Sequence, residues 1–181
     1  MARQVLTPLA LEVLGLLSER PMHPYEMQQL MRDRRADMRV KVKAGSLYHT
    51  VQRLVDVEYV SVVDTQREGR RPERTVYALT DAGWDAFTDR VKGMLATPAE
   101  EYPEYPVALA AMNDIGVDDA ARDDVIHQLE MRIINLEGNA AKYQAALDHV
   151  LGKKLPRLYW LEHEFRYEQL KTELRWTKKL V

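Results

Sequence analysis

The run Lys43-Ala44-Gly45-Ser46-Leu47-Tyr48-His49-Thr50-Val51-Gln52-Arg53-Leu54 constrains the fold more than any other stretch, because a one-faced helical pattern leads straight into a strand–turn–strand pattern. Leu47, Val51, Leu54 and Val55 recur at spacings of three and four, which predicts a helix with one buried face. Ser46, His49, Thr50 and Arg53 are expected on the opposite face, offering hydrogen-bonding groups suited to base edges and phosphates. Tyr59–Thr65 is rich in β-branched residues and reads as a strand, with Arg74-Thr75-Val76-Tyr77-Ala78-Leu79 as its partner. Between them Gly69 is free to take a positive φ at the tip of a turn, among Arg67, Arg70, Arg71 and Arg74.

The flanking residues supply the remaining helices. Thr7-Pro8 opens a first one as N-cap and first helical residue, with Leu9, Val13, Leu16 and Leu17 as its stripe, Leu11 and Leu14 widening it and Arg20-Pro21 as its stop. Pro24 starts a second, in which Tyr25, Met27, Leu30 and Met31 are expected to provide apolar contacts. Arg32, Arg34 and Arg35 crowd its C-terminal end, where cations suit either the helix dipole or a phosphate. Thr80-Asp81-Ala82-Gly83 caps a fourth helix carrying Trp84, Phe87, Val91 and Leu95. The order helix, helix, helix, strand, wing, strand, helix is that of a winged helix-turn-helix. Such a fold sets its third helix in the major groove of DNA and its wing along the backbone or in the minor groove, where arginine is well suited. The charge balance agrees only modestly: residues 1–97 hold 15 Lys/Arg against 13 Asp/Glu, whereas residues 98–181 hold 11 against 15.

Residues 98–106, with Pro98, Pro103 and Pro106 among Glu100, Glu101 and Glu104, read as an acidic linker that is not a regular helix. A short apolar segment, Val107–Met112, follows. Val117-Asp118-Asp119 then opens a long helix to about Leu151, along which Val125, Leu129, Ile133, Leu136, Ala140, Tyr143 and Leu147 keep a seven-residue rhythm. Gly152-Lys153-Lys154 ends it, and Pro156 starts a last helix to about Leu180. That helix carries Leu158, Leu161, Phe165, Leu170 and Leu174 together with Trp160, Tyr167 and Trp176. Two helices of this length do not bury so wide an apolar surface against each other alone; they fold back on the winged helix or pair with a second chain.

The first half resembles the PadR family of bacterial transcriptional regulators. Three blocks in register carry the likeness: Pro21-Met22-His23-Pro24-Tyr25-Glu26; Gly45-Ser46-Leu47-Tyr48 with Arg53-Leu54; and Gly69-Arg70-Arg71-Pro72 followed by Tyr77-Ala78-Leu79-Thr80-Asp81-Ala82-Gly83. Two positions depart from the family pattern, His49, where proline is frequent, and Ala44, where proline or serine is. The resemblance implies DNA binding by Ser46, Tyr48 and His49, with Arg53 on the DNA backbone, Tyr25, Lys41 and Lys43 on phosphates and Arg70 and Arg71 on the wing; the helix-face reading adds Thr50. Tyr48 has a competing reading, its ring packed on the second helix, and Lys41 and Lys43 another, as plain solvated lysines.

More loosely, the last helix, with Leu161-Glu162-His163-Glu164 and Glu173-Leu174-Arg175-Trp176, resembles that of the larger PadR proteins, which implies a C-terminal antiparallel helical domain and a homodimer. The implied dimerisation residues are Leu158, Leu161, Phe165, Leu170 and Leu174. A dimer would place two recognition helices on half-sites of a palindromic operator about 34–36 Å apart. Family members also respond to small molecules, often phenolic or otherwise aromatic. Trp84, Tyr105, Met131, Trp160, His163 and Tyr167 are the candidates for such an effector site, against a plainer reading in which they only pack.

The expected architecture is therefore mainly α with a small β-hairpin: a winged helix-turn-helix over residues 1–97, the linker, and a helical dimerisation and effector domain over residues 107–181. The expected partners are double-stranded operator DNA, a second copy and a small effector, with no cofactor and no membrane. Without cysteine, an apolar run long enough for a bilayer or a signal-like N-terminus, a cytoplasmic location is expected. An enzyme is not expected: His163-Glu164-Phe165-Arg166-Tyr167 has tyrosine where a zinc-protease helix has its second histidine, and no phosphate-cradling loop or nucleophile elbow is present. Two other readings compete. One is a metal-responsive regulator using His23, His49, His127, His149 or His163 with carboxylates; the other is a winged helix used for protein contact, which the wing arginines disfavour.

Overall fold

The computed structural model describes residues 6–41, 43–66, 74–115, 118–153 and 155–181. In chain order they form α1 (Pro8–Leu17), α2 (Pro24–Asp33), a 3-10 turn (Ala36–Met38), α3 (Ala44–Asp56), β1 (Val60–Gln66), β2 (Arg74–Leu79) and α4 (Asp81–Ala96). Then come α5 (Glu104–Ile115), α6 (Asp119–Gly152), a second 3-10 turn (Arg157–Tyr159) and α7 (Leu161–Thr177). The fold is mainly helical with one two-stranded antiparallel sheet, as expected. The chain divides into two compact units between Glu100 and Glu101.

Side-chain caps set the helix starts. Thr7 Oγ1 accepts from the Ala10 N–H at 3.2 Å and Pro8 occupies the first helical position. For α2 the cap is His23, whose Nδ1 accepts from the Tyr25 N–H at 3.0 Å. Asp118 Oδ1 accepts from the Ala121 N–H at 2.8 Å at the start of α6. Each bond satisfies one of the donors that a helix start leaves without an intrahelical partner.

The core of the first unit gathers Val13, Leu14 and Leu17 of α1, Met27 and Met31 of α2, Leu47, Val51 and Leu54 of α3, and Val60 of β1. Tyr59, Tyr77, Leu79 and Phe87 pack around it. Met22, between α1 and α2, is buried and pairs with β2 by reciprocal backbone bonds to Tyr77 of 3.0 and 3.2 Å, which roots the hairpin in the helical core. Along the hairpin Val60 faces Leu79 and Val62 faces Tyr77; the register then shifts by one residue before Asp64 faces Val76. That bulge leaves Val62 and Val63 both about half exposed.

Thr80 ties the end of the hairpin to the helices. Its Oγ1 accepts from the Gly83 N–H at 3.0 Å and donates to the Glu58 carbonyl at 2.8 Å, while its own N–H donates to the Tyr59 carbonyl at 3.1 Å. The same approach explains Gly83, since a Cβ built there would stand 2.1 Å from the Tyr59 carbonyl oxygen. Glu58 takes a φ of 61° in the tight turn from α3 into β1, a left-handed conformation costing about 1–2 kcal/mol for a residue with a Cβ.

In the second unit α6 and α7 run side by side. Leu136 and Ala140 of α6 meet Leu170 of α7, flanked by Tyr143, Tyr167 and Leu174. Arg132 pairs with Glu173 across the seam, and Lys178 Nζ donates to Glu137 at 2.6 Å. The heptad-like positions of α6 carry the burial: Leu129, Leu136, Ala140 and Leu147 are buried and Val125, Ile133 and Tyr143 half-buried.

Three sequence expectations are corrected. The linker read over residues 98–106 is helical from Glu104 onward. Pro106 lies in the first turn of α5, where a missing N–H breaks no intrahelical bond, so proline does not stop that helix. The last helix does not run unbroken from Pro156: the 3-10 turn ends at Tyr159, the φ of −143° at Trp160 is not helical, and α7 begins at Leu161. Tyr25 is also no core contact, being 55% exposed.

Gly83→Ala is predicted to destabilise the first unit by about 1–3 kcal/mol through overpacking. Alanine's better helix propensity, about 1 kcal/mol, has the opposite sign. Urea unfolding checks it, and a variant at least as stable as the parent would contradict the close approach to Tyr59.

Candidate nucleic-acid interface

The buried side of α3 decides what its other side presents. Leu47, Val51 and Leu54 are at most 3% exposed. At about 100° per residue the direction opposite them falls on Gly45, His49, Gln52 and Asp56, all of which are exposed. Ser46 and Arg53 stand on one shoulder and are exposed. Tyr48, on the other shoulder, is 49% exposed, so its ring is not sequestered against α2. Thr50 departs from the expected outer face. It is half-buried, its Oγ1 donates to the Ser46 carbonyl one turn back at 2.7 Å, and it lines a small crevice with Leu6, Thr7 and Ala10. Gln52, which the sequence reading passed over, takes the outer place instead, with Nε2 donating to Asp56 Oδ1 at 3.0 Å. Counting from the centre of the Leu47–Val51–Leu54 face, rather than from the helix start, would have found it.

Cations divide into spent and available groups. Arg34 forks onto Glu19, Arg39 onto Glu12, Arg20 pairs with Glu26 and Arg35 with Asp37. The Arg34 guanidinium holds the Glu19 carboxyl below the usual range, and Arg20 does the same for Glu26. Arg39 thereby ties the end of the 3-10 turn to α1 and Arg34 ties the end of α2 to the turn after α1, while Arg20 and Arg35 pair locally. Lys41 and Lys43 just ahead of α3, and Arg53 within it, are exposed and carry no ion pair among the described residues. Lys43 occupies the N-cap position of α3 without any side-chain cap bond. At Gly45 an added Cβ would meet nothing within 4 Å, so this chain's own packing gives no reason for glycine there. Tyr25 stands exposed on the first turn of α2. Arg70 and Arg71, with Arg67 and Gly69, lie outside the described residues.

The five effector candidates of the second unit are not one cluster. Tyr105 lines an open groove of about 590 Å³ between α5 and α7, with Leu109, Phe165, Thr172, Glu173 and Trp176. Its ring carries the Arg132 guanidinium at 3.3 Å and meets Trp176 edge-on at 6.4 Å, and its hydroxyl is buried without a hydrogen-bond partner among the described residues. Of the other candidates in this unit, Met131, Trp160, His163 and Tyr167 are not among its lining residues. Tyr167 packs in the α6–α7 seam, and His163 is buried with its ring 6.2 Å from Tyr143. Trp160 Nε1 donates to the Leu155 carbonyl at 3.4 Å, Met131 is exposed on α6, and Trp84 lies on α4 beside Phe87. Phe165 and Trp176 are the aromatics missed for this groove; with Gln169 and Thr172 they form one face of α7, turned away from the seam face of Tyr167, Leu170 and Leu174. Of the expected dimerisation residues, Leu158 and Phe165 are 79% and 65% exposed and Leu161 is partly exposed. Leu170 and Leu174 are instead used inside the chain, against α6. No three His, Asp or Glu among the described residues are grouped to hold a metal ion, and no described helix is long and apolar enough to cross a membrane.

Comparison with known proteins agrees with this geometry. Residues 13–89 match the family model of the PadR-like transcriptional regulators. Among solved structures, Bacillus subtilis PadR in complex with operator DNA is similar over 96% of this chain and 97% of that one, with a TM-score of 0.76 and 16% identity. The same protein in complex with p-coumaric acid matches over 95% of each chain, with a TM-score of 0.73 and 16% identity. The Vibrio cholerae virulence activator AphA matches over 94% of each chain, with a TM-score of 0.69 and 18% identity. No curated protein sequence matches the chain. The likeness to the PadR-like transcriptional regulators thus rests on a family-model match over residues 13–89 and on a fold shared over nearly the whole chain.

Proposed function

We propose that the chain is a DNA-binding repressor that reads a palindromic operator as a homodimer and is released by a small aromatic effector. The observation that carries the DNA reading is α3 itself. Its apolar side is consumed by the core, its outer side offers Ser46, His49 and Gln52, and Lys41, Lys43 and Arg53 beside it have no carboxylate among the described residues. Tyr25, Tyr48 and the wing residues Arg70 and Arg71 complete the interface in this reading, and Thr50 serves it indirectly by packing. Bacillus subtilis PadR, similar in fold, has been crystallised on operator DNA and with p-coumaric acid. AphA, similar in fold with a TM-score of 0.69, is a virulence activator, so a reporter gene under the bound promoter tests repression against activation.

The dimer reading rests on apolar side chains that the second unit leaves in water: Leu158, Tyr159, Leu161 and Phe165, with Leu151 and Leu155 near the end of α6. Such an exposed set marks an interaction site. The effector reading rests on the α5–α7 groove, whose volume lies in the range of about 300–1,000 Å³ usual for small-molecule sites.

Three outcomes follow. Arg71→Ala should weaken operator binding and reduce the slope of log affinity against log salt by about one unit, because one phosphate contact is lost; an unchanged slope in a titration rejects the wing assignment. Gly45→Ala should raise thermal stability slightly, since alanine favours a helix by about 1 kcal/mol, yet weaken DNA binding by crowding the backbone approach; equal affinity would remove Gly45 from the interface. Light scattering should give a dimer at micromolar concentration, and Phe165→Asp should shift it toward monomer; a monomeric parent chain contradicts the reading.

A further inference from the structure

We propose that Gln52 is a specificity-determining residue that reads an adenine in each half-site, and that Asp56 is its positioning residue. The inference rests on the reading of α3 as the recognition helix. Gln52 lies on the outermost side of that helix, one turn from His49, and its side chain is held by a single described contact, the bond from Nε2 to Asp56 Oδ1 at 3.0 Å.

The chemistry of that bond fixes more than a distance. A carboxylate only accepts, so the amide must turn its NH₂ end toward Asp56, and the usual ambiguity between amide oxygen and nitrogen is removed. The NH₂ group has two N–H bonds. One is spent on Asp56; the other, together with Oε1, is left for a partner. A donor and an acceptor side by side on one amide are what the major-groove edge of adenine takes, N7 accepting and the N6 amino group donating. The bond thus orders a side chain with three rotatable bonds before DNA arrives, so less of the contact's free energy is lost to ordering.

A surface Gln–Asp pair one turn apart also stabilises a helix slightly, wherever it stands. The chain contains the control: Gln144 Nε2 donates to Asp148 Oδ1 at 2.8 Å with the same spacing on α6. What separates the two pairs is the surface on which they stand. Asp56 by itself is unfavourable beside phosphates, so a carboxylate on the outer side of α3 calls for a compensating role, and orienting Gln52 supplies one.

The test uses the full-length chain and a duplex selected by it from a random-sequence pool, each half-site position then being permuted. The parent should prefer A·T at one position per half-site by about ten-fold. Gln52→Ala should abolish that preference and leave the other positions unchanged, and Gln52→Glu should move it toward C·G, whose cytosine amino group donates to a carboxylate. Asp56→Ala should reduce the preference to about two- to three-fold without weakening binding to non-specific DNA, whereas Asp56→Asn, which keeps an acceptor oxygen, should preserve it. Gln144→Ala should change nothing. Retention of every base preference in Gln52→Ala, or full preference in Asp56→Ala, overturns the reader or the positioning role respectively. His49→Ala and Ser46→Ala separate the levels: if they too bind as the parent does, α3 is not the recognition helix, but if they weaken binding while Gln52→Ala keeps its preference, only the present inference falls.

Discussion

The seating of α3 on the first unit's core is the constraint on which the proposed reading surface depends. Leu47, Val51 and Leu54 occupy one side of the helix and are sealed against α1 and α2. A helix with three such anchors over two turns has one rotational setting, because turning it by one residue, about 100°, would bring Val55 or Thr50 into the core and Leu54 into water. Burial of each leucine contributes roughly 1.5–3 kcal/mol, so no other setting competes. The choice of outward side chains is therefore made from inside, and a core substitution that lets α3 roll would alter the surface without touching an exposed residue.

The hairpin depends on the same core. Val60 enters it directly and Tyr77 packs on its edge, while the short pairing of Met22 with Tyr77 holds β2 to the connection between α1 and α2. Thr80 joins the hairpin's end to α4 through its side-chain bond to Gly83, and to the turn between α3 and β1 through a side-chain bond to Glu58 and a backbone bond to Tyr59. A two-stranded ribbon is marginal in water by itself, so these attachments at its base are what make it a fixed part of the unit. The paired arginines matter here as well. Arg34 on Glu19 and Arg39 on Glu12 are partly exposed, and such pairs are usually worth about 0–1 kcal/mol each, so they set register between segments more than they stabilise the fold.

Much of this was legible in the sequence, and the exceptions have physical reasons. Strong periodicities and turn chemistry located α1 to α4 and both strands, and Thr7-Pro8, Thr80 and Asp118 act as the caps their sequence positions suggested. Thr50 was misread because polarity was taken for outwardness; it lies only about 70° from the centre of the buried face, close enough to be drawn into the crevice beside α1. Gln52 was missed because nothing in its own identity marks it; only the geometry of three other residues does. Arg34 and Arg39 find Glu19 and Glu12 across 15 and 27 residues of chain, distances at which no local pattern reports a pairing. Pro106 misled because a proline inside a helix and one in its first turn look alike until the start is known. In the second unit, aromatic residues announced interaction without saying with what: Tyr167 serves the seam and Tyr105 the groove.

The two faces of α7 connect the proposed dimer to the proposed effector. One face, with Tyr167, Leu170 and Leu174, is spent on α6, and the other, with Phe165 and Trp176, lines the groove facing α5. Phe165 belongs both to that groove and to the exposed apolar set at the start of α7. Under the proposed function a bound aromatic molecule and a partner helix therefore act on the same side chain. Whatever free energy one gains or loses by moving Phe165 is felt by the other, and linkage makes the effect reciprocal: an effector that weakens the dimer must itself bind less well to the dimer than to the free chain. Binding two half-sites requires both copies, so even a modest coupling at Phe165 would be transmitted to operator affinity without any contact between effector and DNA.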